Sequence, residues 1–192
     1  METFKELVKK NRSIRRFDES RPLSEDILRE LVDCVRFVAS GNNKQPLRFR
    51  TVSDKTECEN VFDTLSFAAL YKDWNHPEKG EHPTGYIFIL RDKELAKTVH
   101  HDDGIAAQTI TLYATSMGLG ACILQNCQYT HAFEALGIDK EKYAFSCVIA
   151  LGYPIEKVVL EESDGENTRY WKTDDQIQHV PKHSLETLLI NN

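Results

Sequence analysis

Apolar residues recur at helical spacing in several segments of this chain. Residues 2–10 carry apolar side chains on one face and predict a short amphipathic helix. A longer pattern runs from residue 24 to about residue 39, with Ser24 in the position of an N-cap. Further helical patterns cover residues 54–70, 103–117, 130–136 and 184–190.

Four other segments have the patterns of β-strands. Residues 47–53 alternate in a way that suits a strand, and apolar runs predict strands over residues 86–90, 121–124 and 143–151. Because helices and strands do not alternate strictly, we expect an α+β sheet flanked by helices. No linker or internal repeat divides the chain, so we expect a single domain over residues 1–192. The tail after Pro154 is expected to reach over a neighbouring subunit.

The composition fits a folded, acidic protein. The chain has 192 residues, of which 41% are hydrophobic and 28% charged, and its formal net charge is -6. No basic stripe is present to neutralise a nucleic-acid backbone. No apolar run is long enough to span a bilayer, and the first residues lack the apolar core of a secretory signal. We therefore expect a cytoplasmic protein that binds neither nucleic acid nor membranes.

Neither the cysteines nor the histidines form a metal-ligand pattern. The five cysteines include no C-x-x-C pair, which favours reduced, buried thiols. The cluster His100–Asp103 invites a metal interpretation, but consecutive residues at a helix start point in different directions and no H-E-x-x-H motif is present. We expect Asp102 or Asp103 to cap a helix, and no metal site.

Two short polar segments carry the candidate chemistry. The arginine segment, Arg12–Phe17, offers Arg12, Arg15 and the Ser13 hydroxyl. Because guanidinium groups present paired donors to phosphate oxygens, these residues predict a site for one terminal phosphate. The alternative is a solvated, charged entry to a strand.

The second segment, the polar turn Ser40–Pro46, contributes Asn42 and Gln45. Their amide groups suit the edge of a heteroaromatic ring that bears carbonyl and N–H groups, and ordinary turn chemistry is the alternative. The sequence has no G-x-S-x-G elbow, G-x-G-x-x-G fingerprint or Walker motif. The chemistry is therefore expected to belong to a bound cofactor.

These segments resemble motifs of the FMN-dependent nitroreductase family. The likeness covers nearly the whole chain, and the matching segments are Arg12–Phe17, Ser40–Pro46, Asp103–Gln108, Gly118–Cys122, Ala150–Pro154 and Val180–Lys182. The resemblance implies an α+β fold with a central, mostly antiparallel sheet. It also implies a homodimer with FMN in each of two sites at the subunit interface.

The resemblance assigns candidate roles to particular residues. Arg12, Ser13 and Arg15 match positions that hold the FMN phosphate and ribityl chain. Within the polar turn, Ser40, Asn42 and Gln45 match cofactor-binding positions, the last two near the pyrimidine edge of the flavin and reached in part from the partner subunit. Leu119, Gly120 and Ala121 match the backbone that passes the flavin ring, where small residues allow close approach. Lys182 matches a late basic position that returns to the phosphate.

The chain departs from the family pattern at two positions. Asn11 stands where many members have an arginine, and His183 stands where they often have one. Either phosphate affinity is lower or Arg16 compensates.

The loop over residues 71–83 resembles a segment near the active-site mouth, where Trp74 would contact substrate or cover the flavin; alternatively, its indole anchors the loop to the body.

The leading hypothesis is an oxidoreductase that takes hydride from NAD(P)H at the flavin N5 and passes electrons to nitroaromatics, quinones or similar small acceptors by a ping-pong mechanism. In this hypothesis no protein side chain performs the catalytic transfer. Two alternatives keep the cofactor: a flavin-dependent dehalogenase or flavin-fragmenting relative, and a non-catalytic FMN-binding sensor.

Overall fold

The computed structural model describes residues 3–68, 71, 74, 77–163, 165 and 167–190. It consists of two compact units, Met1–Pro154 and Ile155–Asn192. The first unit contains α1 (Phe4–Lys10), α2 (Glu25–Asp33), β1 (Leu47–Val52), α3 (Lys55–Phe62), β2 (Gly85–Asp92), α4 (Asp102–Ser116), β3 (Gly120–Leu124), α5 (Tyr129–Ala135) and β4 (Tyr143–Gly152). The second contains β5 (Val158–Glu162), β6 (Trp171–Lys172), β7 (Gln178–Lys182) and α6 (Leu185–Leu188). No helix within the described ranges combines the length and the hydropathy needed to cross a membrane.

The sheet of the first unit has the strand order β1-β2-β4-β3, and each neighbouring pair is antiparallel. One row of the register runs across it from Thr51 to Ile87, Ile149 and Ile123. The expected α+β fold with a mostly antiparallel sheet and flanking helices is confirmed. In the second unit, β7 pairs in parallel with β5 and antiparallel with β6.

Strand β2 is buried on both faces. Tyr86 and Phe88 pack in a core with residues of α3 and α5, whereas Ile87 and Ile89 pack in a second core with residues of α2 and α4. A strand covered on both sides needs apolar residues at consecutive positions, which is why β2 reads as a continuous apolar run. The sheet therefore separates α4 from α3 and α5.

Several helices end at residues other than those predicted from the sequence. The helix predicted over 54–70 ends at Phe62, and the Ser66 N–H then donates to the Asn126 carbonyl (3.1 Å), which binds this backbone to the segment after β3; residues 69 and 70 lie outside the described ranges. The helix that Ser24 caps, as predicted, becomes a 3₁₀ helix after Asp33. The strands of the second unit were missed because their short, mixed sequences alternate weakly.

The arginine segment lies against the ends of β3 and β4. The Ile14 N–H donates to the Ala121 carbonyl (2.9 Å), and Phe17 forms a bridge with Pro154. Glycines make this approach possible. A Cβ at Gly120 would lie 2.9 Å from the Ile14 side chain, and one at Gly152 would lie 2.9 Å from the Phe17 ring.

Gly152→Ala is expected to lower the free energy of unfolding by about 1–3 kcal/mol, because the new methyl overpacks a wholly buried phenylalanine. The matched change Gly104→Ala adds a methyl to an exposed position of α4 that meets no atom within 4 Å. It is expected to raise stability by up to about 1 kcal/mol, since alanine favours the helix. Urea unfolding measures both, and equal midpoints for the two variants would contradict the packing argument.

The five cysteines are free thiols. Burial, reinforced by nearby carboxylates, raises the pKa of Cys58 and of Cys147 to about 12 in each case. The Cys58 thiol lies 3.7 Å from the Val52 carbonyl oxygen, to which it donates. Cys34 is partly exposed. The thiols of Cys58 and Cys147 are therefore neutral packing groups at physiological pH.

These raised pKa values predict a loss of stability in alkali. An unfolded thiol titrates near pH 8.5, so above that pH the native state retains protons that the unfolded state has lost. The stabilisation is fully present below about pH 8.5 and declines as the pH rises through about 12. In chemical denaturation over this range, Cys58→Ala/Cys147→Ala should show a flatter decline than the wild type. The same slope in both proteins would refute the assignment.

Candidate functional site

Arg12 follows α1 and has a guanidinium group that the described residues satisfy only in part. Its Nη2 donates to the Val8 carbonyl (2.8 Å), whereas its buried Nε has no hydrogen-bond partner in the described ranges. Burial lowers the pKa of Arg12, although arginine remains charged in proteins. Because an unsatisfied buried donor costs about 1–3 kcal/mol or more, an anionic acceptor beside Arg12 would stabilise the protein.

A polar cavity of about 200 Å³, called the arginine cavity below, adjoins Arg12. Arg12 and Ser13 lie on one side, Gln108 and Thr111 of α4 on another, and Ala121 of β3 completes the central part. Its remaining lining residues are Asn11 and Ile123. Of the three residues predicted for the phosphate, the cavity contains Arg12 and Ser13, while Arg15 Nη1 donates to the Ser13 carbonyl (3.2 Å).

Asn11 and Arg16 are committed to contacts within the chain. The Asn11 amide donates to Thr111 Oγ1 (3.0 Å) and accepts from Thr115 Oγ1 (3.3 Å), which joins the end of α1 to α4. Arg16 donates to both carboxylate oxygens of Glu81, at 2.6 and 2.8 Å. Arg16 is therefore paired with Glu81, and this contact does not support the hypothesis that Arg16 compensates for Asn11 at a phosphate.

The polar turn has an unusual backbone. Asn42, Asn43 and Gln45 adopt φ angles of 52°, 54° and 48°, in the left-handed region that non-glycine residues seldom occupy. The Gln45 side-chain amide donates to Asn43 Oδ1 (3.1 Å). Strain of this kind persists only where the surroundings enforce it, and it concentrates at functional sites.

The enforcing contacts come from Asp102. Its buried carboxylate accepts from Ser40 Oγ (2.6 Å) and from the Gly41 N–H (3.0 Å). The prediction that Asp102 or Asp103 caps α4 is wrong: the N-cap is His101, which makes no side-chain cap hydrogen bond. Asp103 binds Ser146 Oγ (2.6 Å) instead. Within the described ranges, no group of three His, Cys, Asp or Glu residues is placed to hold a metal.

Helix α4 contacts both the polar turn and the arginine cavity, at different positions along its axis. Asp102 holds the polar turn at its first residue, whereas Gln108 and Thr111 line the arginine cavity about two turns further along. At 1.5 Å per residue this offset is roughly 9 to 14 Å along the helix axis. A ligand that contacts both regions of one chain would have to span this length of α4.

The predicted ring-passing residues lie at the start of β3, with Leu119 just before the strand. Leu119 and Ala121 are buried in the core between the sheet and α4, and Ala121 also lines the arginine cavity. Gly120 is small because Ile14 packs against it, so the close approach at this position is made by the chain itself.

Trp74 and Lys182 are the two remaining residues singled out from the sequence. Trp74 is partly buried against the core on the α3 and α5 face of the sheet and meets the Tyr71 ring edge-on at 6.3 Å. That contact favours an anchoring role within one chain. Lys182 is the exposed last residue of β7 in the second unit, and its return to the phosphate stays a prediction.

Sequence reasoning missed the partnership of Asp102 with the polar turn and the contribution of Gln108 and Thr111 to the cavity. No local signal was present, because an acidic residue in the first turn of a helix is ordinarily exposed. Sequence spacing alone could not identify that partner 62 positions away in the chain.

The fold and the site define a class of α+β protein with a basic, partly buried cavity beside the central helix of an antiparallel sheet. The chain belongs to the nitroreductase family, whose family model matches residues 8–153. The match lies within the first compact unit and ends beside its boundary at Pro154.

Curated relatives carry names consistent with this family. A protein of Archaeoglobus fulgidus, named as a candidate NADH dehydrogenase/NAD(P)H nitroreductase, is 24% identical, with 85% of this chain and 92% of that protein aligned. A protein of Methanothermobacter thermautotrophicus with the same name is 28% identical, with 79% of this chain and 77% of that protein aligned.

Solved structures share the fold. A candidate nitroreductase from Desulfovibrio desulfuricans, crystallised in complex with FMN, superposes with a TM-score of 0.70 at 23% identity and covers 100% of this chain and 98% of its own. An FMN-dependent nitroreductase from Clostridium difficile gives a TM-score of 0.64 at 24% identity, covering 79% of this chain and 87% of its own. At these identities the likeness establishes the fold.

Proposed function

We propose that this protein is an FMN-dependent oxidoreductase that uses NAD(P)H to reduce nitroaromatics, quinones or similar small acceptors by a ping-pong mechanism. Family membership supports oxidoreductase chemistry, and two similar structures were solved in complex with FMN. When bound, FMN supplies the chemistry, since its ring accepts hydride from the nicotinamide and returns electrons to the acceptor.

The observation that carries the proposal is the buried Nε of Arg12. This donor has no hydrogen-bond partner in the described ranges and belongs to a residue that lines a polar cavity. The residues that line the cavity fit a phosphate group, since a charged guanidinium, the Ser13 hydroxyl and the Gln108 amide are all hydrogen-bond donors. Arg12 would bind the phosphate, and Ser13 would orient it.

The polar turn would act at the other end of the cofactor. Its strained backbone fixes the Cα positions of Asn42 and Gln45, so a ligand there need not order the main chain of the turn; the Gln45 amide would exchange its contact with Asn43 for one with the ligand. Both residues would orient the pyrimidine edge of the flavin ring and influence its electron affinity through hydrogen bonds.

We further propose that the working unit is a homodimer. Ile105 and Gln108 of α4 are exposed in the single chain. A second copy against these residues would bring its own polar turn towards the arginine cavity. The proposed location is the cytoplasm, in keeping with the sequence-based expectation.

The reaction can be tested with the purified protein. We expect the absorption spectrum of oxidised flavin, bleaching by NADPH or NADH under anaerobic stopped flow at about 1 per second or faster, and recovery on addition of a nitroarene or a quinone. Halogenated phenols and oxygen alone serve as competing acceptors. A colourless protein that FMN cannot reconstitute would refute the cofactor, and bleaching that takes minutes would favour a sensor.

Arg12→Ala is expected to weaken FMN binding by about 1.5–3 kcal/mol, or roughly ten- to 150-fold in Kd, because a charged hydrogen bond to the phosphate is lost. Fluorescence titration of the FMN-free protein measures the change. The control is Arg16→Ala/Glu81→Ala, which removes a neighbouring arginine together with its carboxylate partner. Unchanged affinity in the Arg12 variant, or an equal loss in the control, would leave the arginine cluster without a specific role.

A further inference from the structure

Asp102 and Ser40 form a hydrogen-bonded relay that spans the polar turn. The Asp102 carboxylate, on a residue only 6% exposed, accepts from Ser40 Oγ and from the Gly41 N–H at the start of the turn. Ser40 Oγ in turn accepts from the Gln45 N–H (2.9 Å) near its end. Through one hydroxyl, the carboxylate therefore acts on both ends of the turn.

Little packing is available to replace these hydrogen bonds. A cavity of about 190 Å³ adjoins Ser40 and Gln45, and another of about 460 Å³ adjoins Gly41 and Asn42. Asp102 lines both cavities. Because the turn stands between two open volumes, its conformation depends on polar contacts more than on close-packed neighbours.

The backbone of the turn needs such a constraint. Asparagine tolerates the left-handed region, whereas glutamine adopts it less readily; Gln45 has a φ of 48°, and its side-chain amide donates to Asn43 within the turn. The Gln45 N–H donates to Ser40 Oγ. The Asp102 carboxylate orients that oxygen, because it accepts the hydrogen bond of the Ser40 hydroxyl. A charged acceptor near the N-terminus of α4 is also favourably placed in the field of the helix.

We propose that Asp102 is the positioning residue of the candidate site: through Ser40 it holds the polar turn in its left-handed conformation, so that Asn42 and Gln45 are set in advance for the flavin ring edge. The part that concerns the flavin rests on the proposed function. The part that concerns the turn does not, since the relay is present in the protein alone.

Two variants separate this role from a general effect of charge at the start of α4. Asp102→Ala removes both acceptor contacts to the turn. Asp103→Ala is the matched control, because it deletes the adjacent carboxylate of the same helical turn, which binds Ser146 and the Gly104 N–H instead. Asp102→Asn keeps one carbonyl acceptor and should fall between the wild type and Asp102→Ala.

The first measurement is amide hydrogen exchange on the FMN-free protein. In Asp102→Ala, exchange at the amides of Gly41 and Gln45 should rise about tenfold or more, and in Asp103→Ala it should stay at the wild-type rate. Gln45 is the decisive probe, since its amide does not contact Asp102 directly. Wild-type exchange at Gln45 in Asp102→Ala would overturn the relay. If that variant does not fold, Asp102→Asn tests the same prediction, with a smaller rise expected at Gln45, and wild-type exchange there would overturn the relay.

The second measurement concerns the cofactor and uses FMN itself. Asp102→Ala should raise the Kd for FMN about tenfold and shift the flavin midpoint potential, with Asp102→Asn intermediate and Asp103→Ala unchanged. Faster exchange with unaltered Kd and potential would overturn the positioning role while leaving the relay in place. Failure of the wild type to bind FMN would instead overturn the proposed function and the flavin part of this inference, and the exchange result would still decide the relay.

Discussion

The backbone hydrogen bond from Ile14 to Ala121 joins the arginine segment to the sheet, and the position of the candidate site depends on it. It fixes Arg12 and Ser13 beside β3 and opposite the middle of α4. The contact requires glycine at position 120, because any larger residue would collide with Ile14. A packing constraint between the N-terminal segment and β3 thus places a guanidinium group where a small anion can reach it.

Helix α4 fixes the position of the polar turn relative to the arginine cavity. Ala106 and Ala107 are buried near its start, and Ile110 is buried in its middle, so the helix is held firmly against the sheet. Asp102 at one end holds the polar turn, and Thr111 further along lines the arginine cavity. Because a helix is stiff over this length, the offset between the two regions is a fixed property of the chain. An offset of this kind suits an elongated ligand or a site completed by a second copy.

The sequence predicted best those elements whose environment imposes a simple period. Strands β2 and β4 are covered on both faces and read as apolar runs, and Ser24 caps α2 as its residue type predicts. It predicted poorly where a distant partner decides the local structure. The helix ending at Phe62 stops because the following backbone bonds to the segment after β3, and Asp102 does not cap α4 but accepts a hydrogen bond from Ser40. Such partners lie about 60 residues apart, which no local pattern encodes.

Arg12 and Arg16 show how the structure distinguishes two similar charges. Arg16 donates to both carboxylate oxygens of Glu81, a geometry that stabilises a partly buried guanidinium. Arg12 receives one carbonyl oxygen and keeps a buried Nε unsatisfied within the described ranges, although the chain as a whole has an excess of acidic residues. A sequence selected for stability alone would have placed a carboxylate or a neutral residue there. Because sites that violate the usual pairing rules tend to be functional, the unsatisfied arginine and the strained turn argue for one binding site more strongly than either feature alone.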